Sequence, residues 1–224
     1  MYTTCLSRKE GEMLPTIARF TAHVALAAAL SANMAAVPSA VHDVVSLVEA
    51  GTPRSSPALS AAVRSLLEEA PPPAAVDFSA AAGTWRVVSA PLIDRLAGIA
   101  RTNFDIAYRI GASGTIGATV RYDSDLFGGG WLCTDGSISN IAEDGPPRVR
   151  LVWERIWWQP GGDATVPPLD PDAEGAAALK PLVQALGRAG FSEELAVFPV
   201  CFIDTGAGLA VFQWQGLTVA TLRT

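Results

Sequence analysis

A mostly β body with a short helical arm, its strands closed into an antiparallel barrel or stacked as a sandwich, is the fold class the sequence predicts. Three observations predict it. Apolar and polar residues alternate at 104–110 and again at 116–122, the period-two signature of half-buried strands. Residues 1–82 hold 20 of the 38 Ala but only 3 of the 17 aromatics, and all six Trp come later. Ala favours helix, whereas aromatics favour sheet and core. Half of the 224 residues are apolar and 17% are charged, a balance that buries a core rather than leaving the chain disordered. The length suits one ordinary domain plus an appendage.

Residues 1–40 read as an organelle-targeting leader. Arg8, Lys9 and Arg19 precede a small-residue apolar run at 22–37, which His23, Ser31 and Asn33 make a poor membrane span. Val37-Pro38-Ser39-Ala40 suits a peptidase that prefers small residues. Glu10 and Glu12 are unusual in such a leader, and Met13 opens a segment free of acids. A secretory signal and an ordinary helix are the alternatives for this stretch.

Residues 41–73 form the helical arm. Val44, Leu47 and Val48 fall three and four apart, and Gly51 and Pro53 stop this first helix. Ser56 or Ser60 caps a second, in which Leu59, Val63, Leu66 and Leu67 make one apolar stripe. Pro71, Pro72 and Pro73 cannot continue it, so they mark the boundary with the body.

The body spans residues 74–224. A strand is expected at 85–89, then a short helix at 91–100, on the spacing of Leu92, Leu96 and Ile99, lying across one end of the sheet. Phe104, Ile106, Tyr108 and Ile110 share one strand face. Ile116, Ala118, Val120 and Tyr122 repeat the alternation after a Ser113-Gly114 turn, so the two strands form a hairpin. Gly128-Gly129-Gly130 reads as a flexible turn before a strand at 131–133, and another strand follows at 149–158. The loop at 160–174 is too acidic and too rich in Pro and Gly to pack. A short helix from Pro181 to near Gly190 turns Leu182, Val183 and Leu186 inward. Strands at 195–204 and 209–222, the latter interrupted at Gly216, complete a set of about seven or eight, mostly in hairpins.

Charge and rare residues exclude several functions. The net charge is −6, from 16 Lys and Arg against 22 Asp and Glu, which argues against nucleic-acid binding. Both His, His23 and His42, precede residue 43. The body therefore has no imidazole for a Ser-His-Asp or Cys-His site, nor for a His-ligated zinc. Neither Lys9 nor Lys180 follows a glycine-rich phosphate loop. Cys5, Cys133 and Cys201 lack metal spacing. Free thiols in a reducing compartment are expected, with a Cys133–Cys201 disulfide as the alternative. No cofactor is expected. Carboxylates are the remaining catalytic resource. Glu154 and Asp204 sit among apolar residues, while Asp123-Ser124-Asp125 reads as a turn cap.

Gly83-Thr84-Trp85 opens the body. A Gly-x-Trp in that place resembles the entry of lipocalin-like barrels, where the Trp closes one barrel end and packs against an Arg of the last strand. Arg223 is the candidate partner, through a cation–π contact. Read in order, residues 41–215 resemble the plastid-lipid-associated protein, or fibrillin, family. Val45-Ser46-Leu47-Val48-Glu49-Ala50-Gly51 with Arg54 is similar to the family's helix and its Gly-Arg turn. Gly83-Thr84-Trp85-Arg86-Val87-Val88-Ser89 resembles its Gly-x-Trp-x-Leu-x-Tyr-Thr-Ser start. Phe198-Pro199-Val200-Cys201-Phe202-Ile203-Asp204 resembles its Val-x-Tyr-Leu-Asp. The chain departs from the family at Val88, which replaces an aromatic, and at Thr205-Gly206-Ala207-Gly208-Leu209, which replaces an acidic–Leu–Arg run. The resemblance implies a lipocalin-like barrel that is not an enzyme. It implies a plastid protein that carries an apolar lipid or prenylquinone at thylakoids or lipid globules.

An eight-stranded barrel has an interior just wide enough for side chains or one small ligand. The residues expected to line a ligand site are Trp85, Phe104, Ile106, Tyr108, Ile116, Val120, Tyr122 and Trp153, with Asp204 completing the set. A core filled by side chains is the alternative. Trp153 and Trp157 are expected on one strand face and Trp158 on the other, so at least one should meet a rim, a lipid surface or the 160–174 loop. Two rival functions remain. One is a barrel enzyme using Asp204 or Glu154 on a hydrophobic substrate. The other is an assembly protein docking through its Trp-rich face.

Overall fold

The computed structural model describes residues 39–125, 128–141, 147–161, 167, 196–214 and 217–224. The expected leader up to residue 38, most of the 160–174 loop and the helix expected from Pro181 lie outside the described residues.

Helix α1, Ser39–Glu49, buries Ala40, Val41 and Val44 along one face. Gly51 ends it at φ +73, where its N–H bonds the Val48 carbonyl and the Thr52 N–H bonds the Leu47 carbonyl. Gly adopts this left-handed conformation without a Cβ penalty. Helix α2, Pro57–Glu69, begins at Ser56, whose hydroxyl accepts from the Ala58 N–H at 3.2 Å. It buries Leu59, Val63 and Leu66. These side chains form one cluster with Phe202, Leu209, Val211 and Ala220 of the sheet. Burying each large one stabilises the fold by about 1.5–3 kcal/mol. Arm and body thus share a core and lie within a single compact unit, Pro38–Thr224.

The body begins with β1, Gly83–Ser89, and α3, Pro91–Ala100. The remaining strands are β2, Thr102–Ile110; β3, Thr115–Ser124; β4, Gly128–Ile141; β5, Arg148–Pro160; β6, Val197–Asp204; β7, Leu209–Trp214; and β8, Leu217–Arg223. Each strand pairs antiparallel with the next, and β1 pairs with β8, so the described strands close into a ring of eight. The β2–β3 hairpin runs unbroken from Thr102↔Ser124 to Ile110↔Ile116, as the alternation predicts. The ring's shortest seam is β5–β6, which pair only from Arg148↔Pro199 to Arg150↔Val197. Among the described residues no helix is long and apolar enough to cross a membrane.

Three expectations are corrected. Gly128, Gly129 and Gly130 are not a flexible turn but the start of β4, paired with Ser124, Asp123 and Tyr122. A Cβ on Gly130 would lie 2.2 Å from the Tyr122 hydroxyl, so the missing side chain is what lets Tyr122 cross this strand. Strand β4 continues to Ile141, far past residue 133, through the turn-like Asp135-Gly136-Ser137. Finally, Trp153 and Trp157 do not share a face. The β4–β5 register slips between Asp135↔Arg155 and Gly136↔Trp153, leaving Glu154 as an extra residue. Such a bulge exchanges the two faces for everything beyond it. Trp153 therefore points into the ring, and Trp157 packs outside with Trp131 and Cys133. Cys133 and Cys201 are free thiols, which sets the disulfide alternative aside.

Candidate functional site

The ring encloses a cavity of about 490 Å³. Alternation along each strand delivers its lining. Trp85 comes from β1, Ile106, Tyr108 and Ile110 from β2, and Ile116, Ala118 and Val120 from β3. Leu132, Thr134 and Ile138 come from β4, and Val149, Leu151, Trp153 and Ile156 from β5. Phe198, Val200 and Ile203 of β6, Ala210, Val211 and Phe212 of β7, and Val219 and Thr221 of β8 make the far wall. Among the described residues, no Asp, Glu, Lys, Arg or His lines this space. Its volume lies in the range of about 300–1,000 Å³ that is usual for small-molecule pockets.

One end of the cavity is sealed. There Trp85 is almost fully buried, and its indole Nε1 donates to the Ala81 carbonyl at 2.8 Å. The Arg223 guanidinium lies over its ring, 5.7 Å from the centroid. Arg223 also donates to the carbonyls of Ala80, at 3.1 Å, and Thr205. Asn140, at the end of β4, grips Val76 with two amide hydrogen bonds: its Nδ2 donates to the Val76 carbonyl and its Oδ1 accepts from the Val76 N–H. The chain between Val76 and Trp85 is thereby laid across this end. The cation–π partnership expected from the sequence is present.

The opposite end carries α3, which contributes Ile93 to the lining. Phe104 packs there against Val87, Ala90, Ile106 and Val219. The Tyr122 hydroxyl accepts from the Trp158 Nε1 at 2.6 Å, spanning β3 and β5. Arg54 of the arm reaches the same end, donating to Asp94 Oδ1 at 2.6 Å and to the Phe104 carbonyl at 2.8 Å. Among the described residues, a second, polar recess lies beside this pair, lined by Arg101, Asp123 and Asp125 among others. No group of three or more His, Cys, Asp or Glu is arranged there, or elsewhere among the described residues, to hold a metal ion.

Six of the nine expected ligand-site residues line the cavity: Trp85, Ile106, Tyr108, Ile116, Val120 and Trp153. Three do not. Phe104 and Tyr122 sit beyond it at the α3 end. Asp204 lies outside it, in the β6–β7 turn, where its Oδ1 accepts from the N–H groups of Gly206 and Ala207 at 2.8 and 2.9 Å. It is a turn cap. Glu154, the other candidate acid, is exposed at the bulge. Sequence reasoning missed the lining from β4 and from β6 to β8. Val149, Leu151 and Trp153, two apart and separated by Arg150 and Val152, carry part of that signal, whereas around Leu132 and Thr134 the apolar Trp131 and Cys133 of the opposite face hide it.

Tyr108 is the titratable group in the lining. Desolvation pushes its phenol up from the usual value near 10 to about 12. Its ring meets Phe212 edge to face at 6.0 Å. Burial likewise pushes the Cys133 thiol, outside the cavity, up to about 12.

No protein-family model, curated protein or solved structure matches this chain.

Proposed function

We propose that this chain is a non-enzymatic carrier for an apolar molecule, held inside a lipocalin-like barrel of the fibrillin type. The observation that carries the reading is the 490 Å³ cavity within the ring of strands, with no charged side chain in its described lining. Apolar walls with few polar groups favour an apolar guest, whose transfer from water contributes about 25 cal/mol per Å² of buried surface. A side-chain-filled barrel, as an assembly protein would have, leaves no such space. Asp204 and Glu154 both lie off the cavity, so a carboxylate enzyme would lack its base. The resemblance of residues 41–215 to the fibrillin family, together with the leader-like residues 1–40, supports an apolar lipid or prenylquinone as cargo. It also supports a plastid location at thylakoids or lipid globules.

The test is titration of the delipidated full chain with a fluorescent apolar probe, followed by tryptophan quenching. Trp85 and Trp153 line the cavity, so saturable quenching at one probe per chain is expected. Replacing Ala118 by Trp, which fills the cavity from β3, should abolish it while the chain stays folded. Quenching that never saturates, or that survives the filled cavity, would remove the carrier reading.

A further inference from the structure

The cavity distinguishes between kinds of apolar guest. Its described lining holds no charge of either sign, so a carboxylate or phosphate head would be buried without a counter-ion. Burying an unpaired charge costs several kcal/mol, far more than an added methylene returns. A wholly hydrocarbon guest would leave a different group unused. Tyr108 projects from β2 two residues before its Ile110 end, where it pairs with Trp85 across the β1–β2 seam. It lines the cavity, and its hydroxyl makes no hydrogen bond among the described residues. The other hydroxyls of the lining are placed differently. Thr221 donates to the Ala210 carbonyl at 3.3 Å, and Thr134 Oγ1, although without a hydrogen-bond partner, has almost no surface open to the cavity.

The geometry points to a neutral apolar guest that carries one oxygen acceptor, a carbonyl or an ether, which enters oxygen-first and accepts a hydrogen bond from the Tyr108 hydroxyl near the Trp85 floor. This rests on the carrier reading above and narrows it. The phenol keeps its proton throughout the neutral range, so it acts as a donor there and supplies no charge. Its ring is fixed against Phe212, which holds the hydroxyl in place before a guest arrives.

Three probes of matched length test it on the full chain at pH 8: 2-tridecanone, tridecane and dodecanoate. The ketone is expected to bind most tightly, and dodecanoate at least about ten-fold more weakly, because its charge finds no partner. Tyr108→Phe keeps the ring and removes one oxygen. It should weaken the ketone about 2- to 10-fold, the range of one hydrogen bond, and leave tridecane within about two-fold. Dodecanoate binding as well as the ketone would overturn the inference. So would Tyr108→Phe leaving the ketone unchanged, or weakening ketone and tridecane alike. In those cases the carrier reading stands. Failure of all three probes to bind would remove both.

Discussion

Arg223 lies 5.7 Å from the centroid of the Trp85 ring, on the strand that pairs with Trp85 to close the ring. The contact joins the first and last strands at the sealed end of the cavity. Its surroundings are fitted to the Arg side chain. A Cβ on Gly83, at φ +142, would meet Arg223 Cδ at 3.2 Å, and one on Gly208, at φ +68, would meet its Cβ at 3.1 Å. Arg223→Ala loses a cation–π contact and two hydrogen bonds to carbonyls, and should cost about 1–3 kcal/mol. Arg223→Lys keeps the charge over the ring but not the forked donors, so it should recover only part. Urea denaturation measures both, and an unchanged midpoint for Arg223→Ala would contradict this role.

Gly130 should be intolerant of a side chain. Gly130→Ala would drive a methyl into the Tyr122 hydroxyl and to within 2.7 Å of the Gln159 carbonyl. The Tyr122–Trp158 hydrogen bond must then break. A loss of about 1–3 kcal/mol is expected from overpacking. Gly128→Ala is the control for crowding, since nothing lies within 4 Å of a Cβ there, although its φ of +70 carries its own backbone cost. Thermal melts of the two variants would sink the idea if Gly130→Ala were the milder change.

Docking of the arm depends on Arg54. Its ion pair with Asp94 is largely shielded, with the two side chains 20% and 13% exposed. Arg54→Ala leaves Asp94 without its counter-charge and should cost about 3 kcal/mol. The double variant with Asp94→Ala should then be more stable than the sum of the single losses. Additive losses in that cycle would show that the two groups act independently.

Stability should fall at alkaline pH. Tyr108 and Cys133 both titrate near 12 when folded, against usual values of 10 and 9. An acid whose folded pKa is raised binds its proton more tightly in the native state. Its contribution is fully present below the unfolded pKa and is lost as pH rises toward the folded one. The loss should begin near pH 9 for Cys133 and near pH 10 for Tyr108, and Tyr108→Phe should remove the second part. Urea midpoints that stay flat from pH 8 to 11.5 would contradict the burial of both groups. Since the thiolate is the reactive form, Cys133 should also resist alkylation at pH 8 until the chain unfolds.

The parts of this fold that the sequence discloses are those where one face is buried and the other is wet. In β2, Ile106 and Tyr108 face the cavity while Asp105 and Arg109 face out, so strict alternation marks both the strand and its lining. The far wall is less legible because its strands are covered on both sides. Phe202 and Leu209 pack under the arm while Val200 and Phe212 line the cavity, giving near-continuous apolar runs without alternation. The Glu154 bulge has no local signature at all. It is accommodated by Gly136 opposite on β4, where a Cβ would lie 1.9 Å from the Val152 carbonyl. Only the cross-strand partner reveals that Trp153 and Trp157 face opposite ways. Asp204 reads as a buried acid from sequence because a turn cap and a buried acid look alike when apolar residues surround them.

The most direct test is native mass spectrometry of the full chain, expressed in a photosynthetic host and extracted without detergent. A single neutral apolar molecule bound at one per chain, released on unfolding and lost from a variant with a filled cavity, is the predicted result. A ligand-free chain in that host, or bound lipid in varying number that persists when the cavity is filled, would contradict it.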